Sequence, residues 1–177
     1  FDNISQVHVN GGAGPSPGPD QDEVLMDINA VLLIAPGAKV VVYDGPFSGA
    51  NVSFQALFNA MINGGVHIIS NSWSYCEDQT TLADVQSIDA ILQSAAASGI
   101  SVFNGSGDTG STCLDGAPNT IGVPSDSPSA TAVGGTSLTV GPGNTYISET
   151  WWNGTNDTPP SGQGGYGVSK FFSRPSY

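Results

Sequence analysis

Apolar positions switch between two periods along the first hundred residues, and each switch marks a change of element. Leu25, Ile28, Val31, Leu32 and Ala35 recur at three- and four-residue intervals. That spacing puts side chains on one broad side of a helix, and Pro36-Gly37 ends it. Residues 11–19 form a Gly/Pro-rich loop ahead of it, leaving Asp20 or Asp22 in position to cap the helix. Residues 38–43 are instead an unbroken Val-rich run, which suits a parallel strand buried on both faces. A second helix is predicted over 53–62, stopped by Gly64-Gly65, and a strand over 66–70. Residues 82–97 return to helical spacing and end at Gly99, after which 100–103 give a third strand. Strands and helices alternating in this way predict an α/β chain whose parallel sheet carries helices on both faces.

From residue 130 the pattern changes to short alternating segments. Residues 136–140 and 145–150 flank Gly141-Pro-Gly-Asn144 and read as a hairpin. Residues 153–167 form a polar Gly/Pro loop after Trp151-Trp152, and 169–177 complete no element. In open α/β sheets reacting groups gather at the carboxyl ends of the strands, which here means residues 70–77 and 105–110.

At 177 residues the chain can bury one sizeable core, and a single domain is expected. Fifteen acidic residues face three basic ones, Lys39, Lys170 and Arg174, for a net charge of -12 at pH 7. Phosphate binding needs clustered Lys and Arg, so no nucleic acid partner is expected and, for the same reason, no anionic membrane. Only 10% of residues are charged, so few ion pairs are lost as carboxylates neutralise. That suits acidic surroundings, although an ordinary acidic exported domain has the same composition. No stretch approaches the roughly 18 consecutive apolar residues of a membrane span. Phe1-Asp2-Asn3 does not read as a signal peptide, and the chain is expected to begin after any targeting segment. Cys76 and Cys113 are the only cysteines. In an exported protein they would be bridged, restricting the unfolded chain by about 4 kcal/mol; two free thiols are the alternative.

The candidate chemistry lies in three carboxyls. Glu23 and Asp27 stand four apart at the head of the first helix, on one face and within reach of each other. Two carboxyls that close share a proton, which splits their titration and leaves one able to accept a proton in acid, the task His performs in neutral serine hydrolases. Asp108 follows the third strand in Gly105-Ser-Gly-Asp-Thr-Gly110. Taken singly, the first two also fit a solvated helix start and the third a turn.

Four stretches, in order and spacing, resemble the sedolisins, the serine-carboxyl peptidases with a subtilisin-like fold. They are Gly18-Pro-Asp-Gln-Asp-Glu23-Val-Leu-Met-Asp27, Ala35-Pro-Gly-Ala-Lys39-Val, Ser106-Gly-Asp108-Thr-Gly110, and Val123-Pro-Ser-Asp-Ser-Pro128 leading to Ala132-Val-Gly-Gly-Thr136. Glu149-Thr-Trp-Trp-Asn153 and Gly164-Gly-Tyr-Gly-Val168-Ser also fit. The resemblance implies a peptide or protein substrate, Glu23 as general base, Asp27 as the residue that orients it, and Asp108 as donor to the oxyanion. A carboxyl donates only while protonated, so Asp108 is expected to have its pKa raised by burial or by a neighbouring carboxylate. Ser72, Trp73 and Ser74 match the strand edge that pairs with an extended substrate, with Ser74 replacing the usual glycine and crowding the S1 pocket. Cys76 and Cys113 match a disulfide found in part of the family.

The resemblance also implies a serine in Gly-Thr-Ser-x-x-x-Pro, downstream of all these stretches. Gly134-Gly-Thr-Ser137 imitates that motif, but Leu-Thr-Val-Gly-Pro142 follows as a strand, so Ser137 reads as structural. The chain is therefore expected to be one incomplete peptidase catalytic domain over residues 1–177, with the sheet incomplete at both ends. A second chain or fragment would carry the serine. The calcium ligands of the family are likewise expected outside this chain, leaving no metal site within it. His8 and His67 lack the His-Gly-Thr setting of subtilisin triads and read as core or edge residues. Trp151 and Trp152 read as packing residues rather than as a sugar platform. The expectation is a secreted, extracellular endopeptidase working in acid; the alternative is a secreted binding module that keeps the scaffold without the chemistry.

Overall fold

The computed structural model describes every residue except 1, 17, 19, 47–49, 114–115, 157–160 and 177, and the side chains of 50–52. Parts of the loops expected at 11–19 and 153–167, and the end of 169–177, thus lie outside the described residues. The chain forms two units, residues 1–67 and 68–177.

In the first unit β1 (Ile4–His8) lies parallel to β2 (Val40–Asp44), with Ile4 opposite Val40 and His8 opposite Asp44. Parallel neighbours need a crossover, and α1 (Gln21–Ile34) provides it. Asp20 occupies the N-cap without a capping side-chain bond. Asp22 and Glu23 sit in the first turn, where the helix dipole favours negative charge. The second helix, α2 (Ala50–Asn63), packs on β2 and buries Phe54 and Phe58, whose rings stack at 6.4 Å. It ends where a Cβ on Gly64 would collide with the Tyr43 hydroxyl.

In the second unit β3 (Ile68–Asn71) opens a three-stranded parallel sheet. Between β3 and the next sheet strand come the short β4 (Tyr75–Cys76) and α3 (Leu82–Ala97). The Thr81 side chain caps α3 by accepting the Asp84 N–H at 3.3 Å. Val85, Ile88, Leu92 and Ala95 form its buried stripe, packed on β5 (Ser101–Gly105). β6 (Gly122–Val123) pairs antiparallel with β4, and β7 (Thr131–Val133) completes the sheet order β3-β5-β7. β8 (Thr136–Val140) and β9 (Tyr146–Trp151) form the expected hairpin around Pro142–Asn144.

Three features depart from the sequence pattern. β1 is a full strand although Ile4-Ser-Gln-Val-His offers only two apolar residues; its pairing with β2 supplies what the side chains do not. β3 begins at Ile68 rather than 66, and the third long strand runs on to Gly105. The apolar side of α1 is not buried within the described structure: Leu25 is 46% exposed and Val31 37%, and the Val-rich β2 is only half-buried.

Candidate active site

Glu23 and Asp27, one helical turn apart on α1, share a face of that helix and are both half-buried. The loop that delivers the chain into α1 is fixed by Asp44 at the carboxyl end of β2. Its Oδ1 meets His8 Nδ1 at 2.8 Å and the Gln6 amide at 3.0 Å, and its Oδ2 accepts the Ala13 N–H at 2.7 Å. Burial pushes the Asp44 carboxyl up, but the Ala13 N–H, the Gln6 amide and His8 outweigh it and hold the group below its ordinary value. Gly12 permits this close passage, since a Cβ there would overlap both His8 and Asp44. His8 is thus committed to a structural contact at the sheet edge.

The carboxyl end of β5 carries Asp108 in the second unit. Residues 162–166 strap the loop. Gln163 N–H donates to the Asp108 carbonyl at 2.9 Å, Gly165 N–H to Gly107 at 2.8 Å, and Tyr166 N–H to Gly110 at 3.2 Å, while Gly110 N–H donates to Gln163 at 3.3 Å. A narrow cleft opens beside it, with about 10 Å³ of free volume, room for roughly one water molecule. Ser74, Ser106, Asp108, Thr120 and Tyr166 are among its lining residues. The Ser106 hydroxyl is buried with no hydrogen-bond partner among the described residues. Asp108 itself is exposed, so the described residues do not supply the burial expected to keep it protonated.

Ser72, Trp73 and Ser74 are half-buried and link β3 to β4. Asn71 holds this link by donating its amide to the Trp73 carbonyl at 2.7 Å and to the Asn104 side chain. Asn104 is almost fully buried and donates in turn to Ser125 Oγ at 2.6 Å. The Cys76–Cys113 disulfide, Cα atoms 6.0 Å apart, ties this segment to the loop after Asp108. Ser74 and Asp108 therefore face one cleft from the two loops that this bridge joins.

A group of buried acids in the second unit stands outside the candidate site that the sequence motifs mark. Glu77 is fully buried, while Asp84, Asp89 and Asp126 are each less than a tenth exposed. Asp84 accepts the Tyr75 hydroxyl at 2.7 Å and Thr80 Oγ1 at 2.6 Å; burial and that acceptor push the Tyr75 phenol up. Asp89 accepts Ser127 Oγ at 2.5 Å and the Gln93 amide at 2.6 Å. The available signal was carboxylates at apolar-stripe positions of the 82–97 helix.

Ser137 lies within β8 opposite Thr150, an exposed strand residue, as its following sequence implied. His67 is exposed in the bend before β3 rather than inside a strand. Trp151 is 53% exposed and meets Tyr166 edge to face at 6.3 Å, so it packs on the surface and not in the core. Trp152 is half-buried beside Gly135. Among the described residues no group of three or more His, Cys, Asp or Glu is arranged to hold a metal. No helix is long and apolar enough to cross a membrane.

This arrangement, parallel strands delivering an acidic helix and a Gly-Asp-Thr-Gly loop, agrees with the comparisons to known proteins. The Subtilase family matches residues 10–164, and the chain belongs to that family. Within it the chain belongs to the sedolisin family and has its α/β, subtilisin-like fold. It is 34% identical to kumamolisin of Bacillus sp. (strain MN-32) over 98% of this chain and 32% of that protein. With sedolisin of Pseudomonas sp. (strain 101) it shares 31% identity over 89% of this chain and 29% of that protein. The structure of Pseudomonas sedolisin, a serine-carboxyl proteinase complexed with two molecules of pseudo-iodotyrostatin, superposes with a TM-score of 0.82 at 26% identity. That match covers 98% of this chain and 51% of the sedolisin chain. The chain thus spans about a third of the curated relatives and half of the solved catalytic chain.

Proposed function

We propose that this chain is the amino-terminal and central part of an exported serine-carboxyl endopeptidase that cleaves peptide bonds in acid. The observation that carries the reading is the pair Glu23 and Asp27 on one face of α1, in a chain whose sequence and fold follow the sedolisins from end to end. A serine from outside this chain attacks the scissile carbonyl and Glu23 removes its proton. Asp27, one helical turn further on, orients Glu23 for that transfer. Asp108 donates to the oxyanion, a contribution of about 3 kcal/mol to the barrier. Asp108 is exposed in this chain, and in this reading the bound substrate and the segment that brings the serine cover it. Residues Ser72 to Ser74 pair with the substrate backbone. Ser74, together with the scant free volume of the cleft, favours a small or slender side chain next to the cleaved bond. Calcium, implied by the family, is assigned to residues outside this chain, and no step here is routed through it.

In the intact protein Glu23→Gln is expected to lower peptide cleavage near pH 4 by at least about a thousandfold. The change is half-exposed and isosteric, so the unfolding midpoint should stay within about a degree. Full activity in that variant removes Glu23 from the mechanism. A wild-type protein that binds peptides without cleaving them would support the binding-module alternative.

A further inference from the structure

Glu77 sits in the short helical turn Glu77–Gln79 just after β4 and is fully buried. It anchors a distant stretch of chain. Glu77 Oε2 accepts the Lys170 N–H at 2.9 Å and Oε1 accepts the Ser169 hydroxyl, whose oxygen accepts the N–H groups of Phe171 at 3.1 Å and Phe172 at 3.0 Å. One carboxylate thus organises all of residues 169–172. Facing it is Asp126, in the turn after β6 and 8% exposed; apart from the Glu77 carboxyl and its own backbone N–H, its oxygens meet no hydrogen-bond partner among the described residues. The charged groups acting on Asp126 are acids on two elements, Glu77 from the turn after β4 and Asp89 from α3. From β4 it faces the Tyr75 phenol, itself bonded to Asp84 of α3.

A bare carboxylate in such a place is costly. Unpaired buried charge normally neutralises rather than persists, and two carboxylates in one low-dielectric site cannot both ionise without strong repulsion. Glu77 accepts a hydroxyl and a backbone N–H from residues 169–170, whereas Asp126 meets only the Glu77 carboxyl and its own backbone N–H, so this geometry leaves the proton on Asp126. We propose that Glu77 and Asp126 form a one-proton pair that keeps residues 169–172 docked on the core in acid and loosens them as the solution passes neutrality. Burial first, and then the Glu77 carboxylate, push Asp126 up to about 8, which places the change in that window. The sign follows from linkage. A carboxyl whose folded value is raised favours the folded state fully below its unfolded value, and that advantage is lost as pH rises through the folded value. The pair is independent of the proposed catalytic carboxyls, so it would limit the protein to acid even if the peptidase reading failed.

The experiment follows the unfolding midpoint of the intact protein from pH 5 to pH 9, for wild type and Asp126→Asn. The wild-type midpoint is expected to fall by at least about 5 °C across this range, and that of Asp126→Asn by less than half as much. Amide exchange at Lys170, Phe171 and Phe172, corrected for base catalysis, should accelerate over the same range in wild type alone. Should the variant not fold, carboxyl carbon shifts in wild type decide: a proton lost from Asp126 above pH 6 supports the pair. An Asp126 that titrates near pH 4, or a variant midpoint falling as steeply as wild type, overturns it.

Discussion

The backbone N–H of Gln163 reaches the carbonyl of Asp108 across 2.9 Å, and Gly165 repeats the contact on Gly107 at 2.8 Å. The loop bearing the proposed oxyanion donor is therefore held by a glycine-rich segment more than fifty residues away, and that segment must lie flat against it. A Cβ on Gly165 would overlap the carbonyl of Ser106. The substitution Gly165→Ala is expected to push the strap off the loop and move the Asp108 carboxyl. A displacement of about 1 Å from productive geometry costs on the order of a hundredfold in rate. Kinetics on the intact protein should show that loss mainly in kcat, with KM for a peptide changed far less. Gly18→Ala, where nothing crowds a Cβ, serves as the control.

Asp108→Asn separates shape from protonation. An amide donates a hydrogen bond at any pH, whereas a carboxyl does so only while it holds its proton. In the intact protein the variant is expected to keep partial activity in acid and to retain proportionally more of it between pH 5 and pH 7 than wild type. A pH profile of unchanged shape would show that Asp108 does not set the upper limit.

Much of this was legible in the chain because local patterns report it. Leu82 to Ala97 read as a helix since Val85, Ile88, Leu92 and Ala95 keep its period, and the hairpin read from Gly141-Pro-Gly-Asn144 between alternating strands. β1 was not legible, because its strand character comes from pairing with β2, 36 residues along in register. The exposure of the apolar side of α1 was not legible for a related reason: a hydrophobic stripe says that a face wants cover, not what supplies it. Glu23, Asp27 and Asp108 stood out only as candidates, through ordered motifs. Glu77 and Asp126 were invisible, since only the folded chain brings residues 49 apart into one dry site. The strap announced itself only as Gly164-Gly-Tyr-Gly, a run whose reason is the close backbone approach.

Asp44 links pH to the loop that leads into α1. Its carboxyl is held below the ordinary 3.8, so the stability it contributes is present above that value and is lost as pH falls through the lower folded value. Asp44→Asn removes the charge from the contacts with His8, Gln6 and the Ala13 N–H. The variant is expected to be less stable than wild type by on the order of 1 kcal/mol at pH 5, with the two curves converging below about pH 3. Denaturant midpoints at both pH values test this; a deficit that persists undiminished in strong acid would assign the loss to shape rather than charge.

The disulfide offers the last and largest stability effect. Cys76 and Cys113 are 37 residues apart, and closing a loop of that length removes entropy from the unfolded chain worth about 4 kcal/mol. The bridge joins two lining segments of one cleft: Cys113 lines it with Asp108, and Cys76 ends β4, two residues after Ser74, which lines it as well. The double substitution Cys76→Ala with Cys113→Ala should therefore do two things. It should lower stability by about 2–4 kcal/mol, and it should loosen the Ser74 wall relative to the Asp108 loop. If the proposed substrate role of Ser74 is right, KM should rise more than kcat falls for peptides with a small residue next to the cleaved bond. Discrimination against bulkier residues should weaken at the same time. A variant that is less stable yet keeps both KM and discrimination would confine the bridge to a structural role.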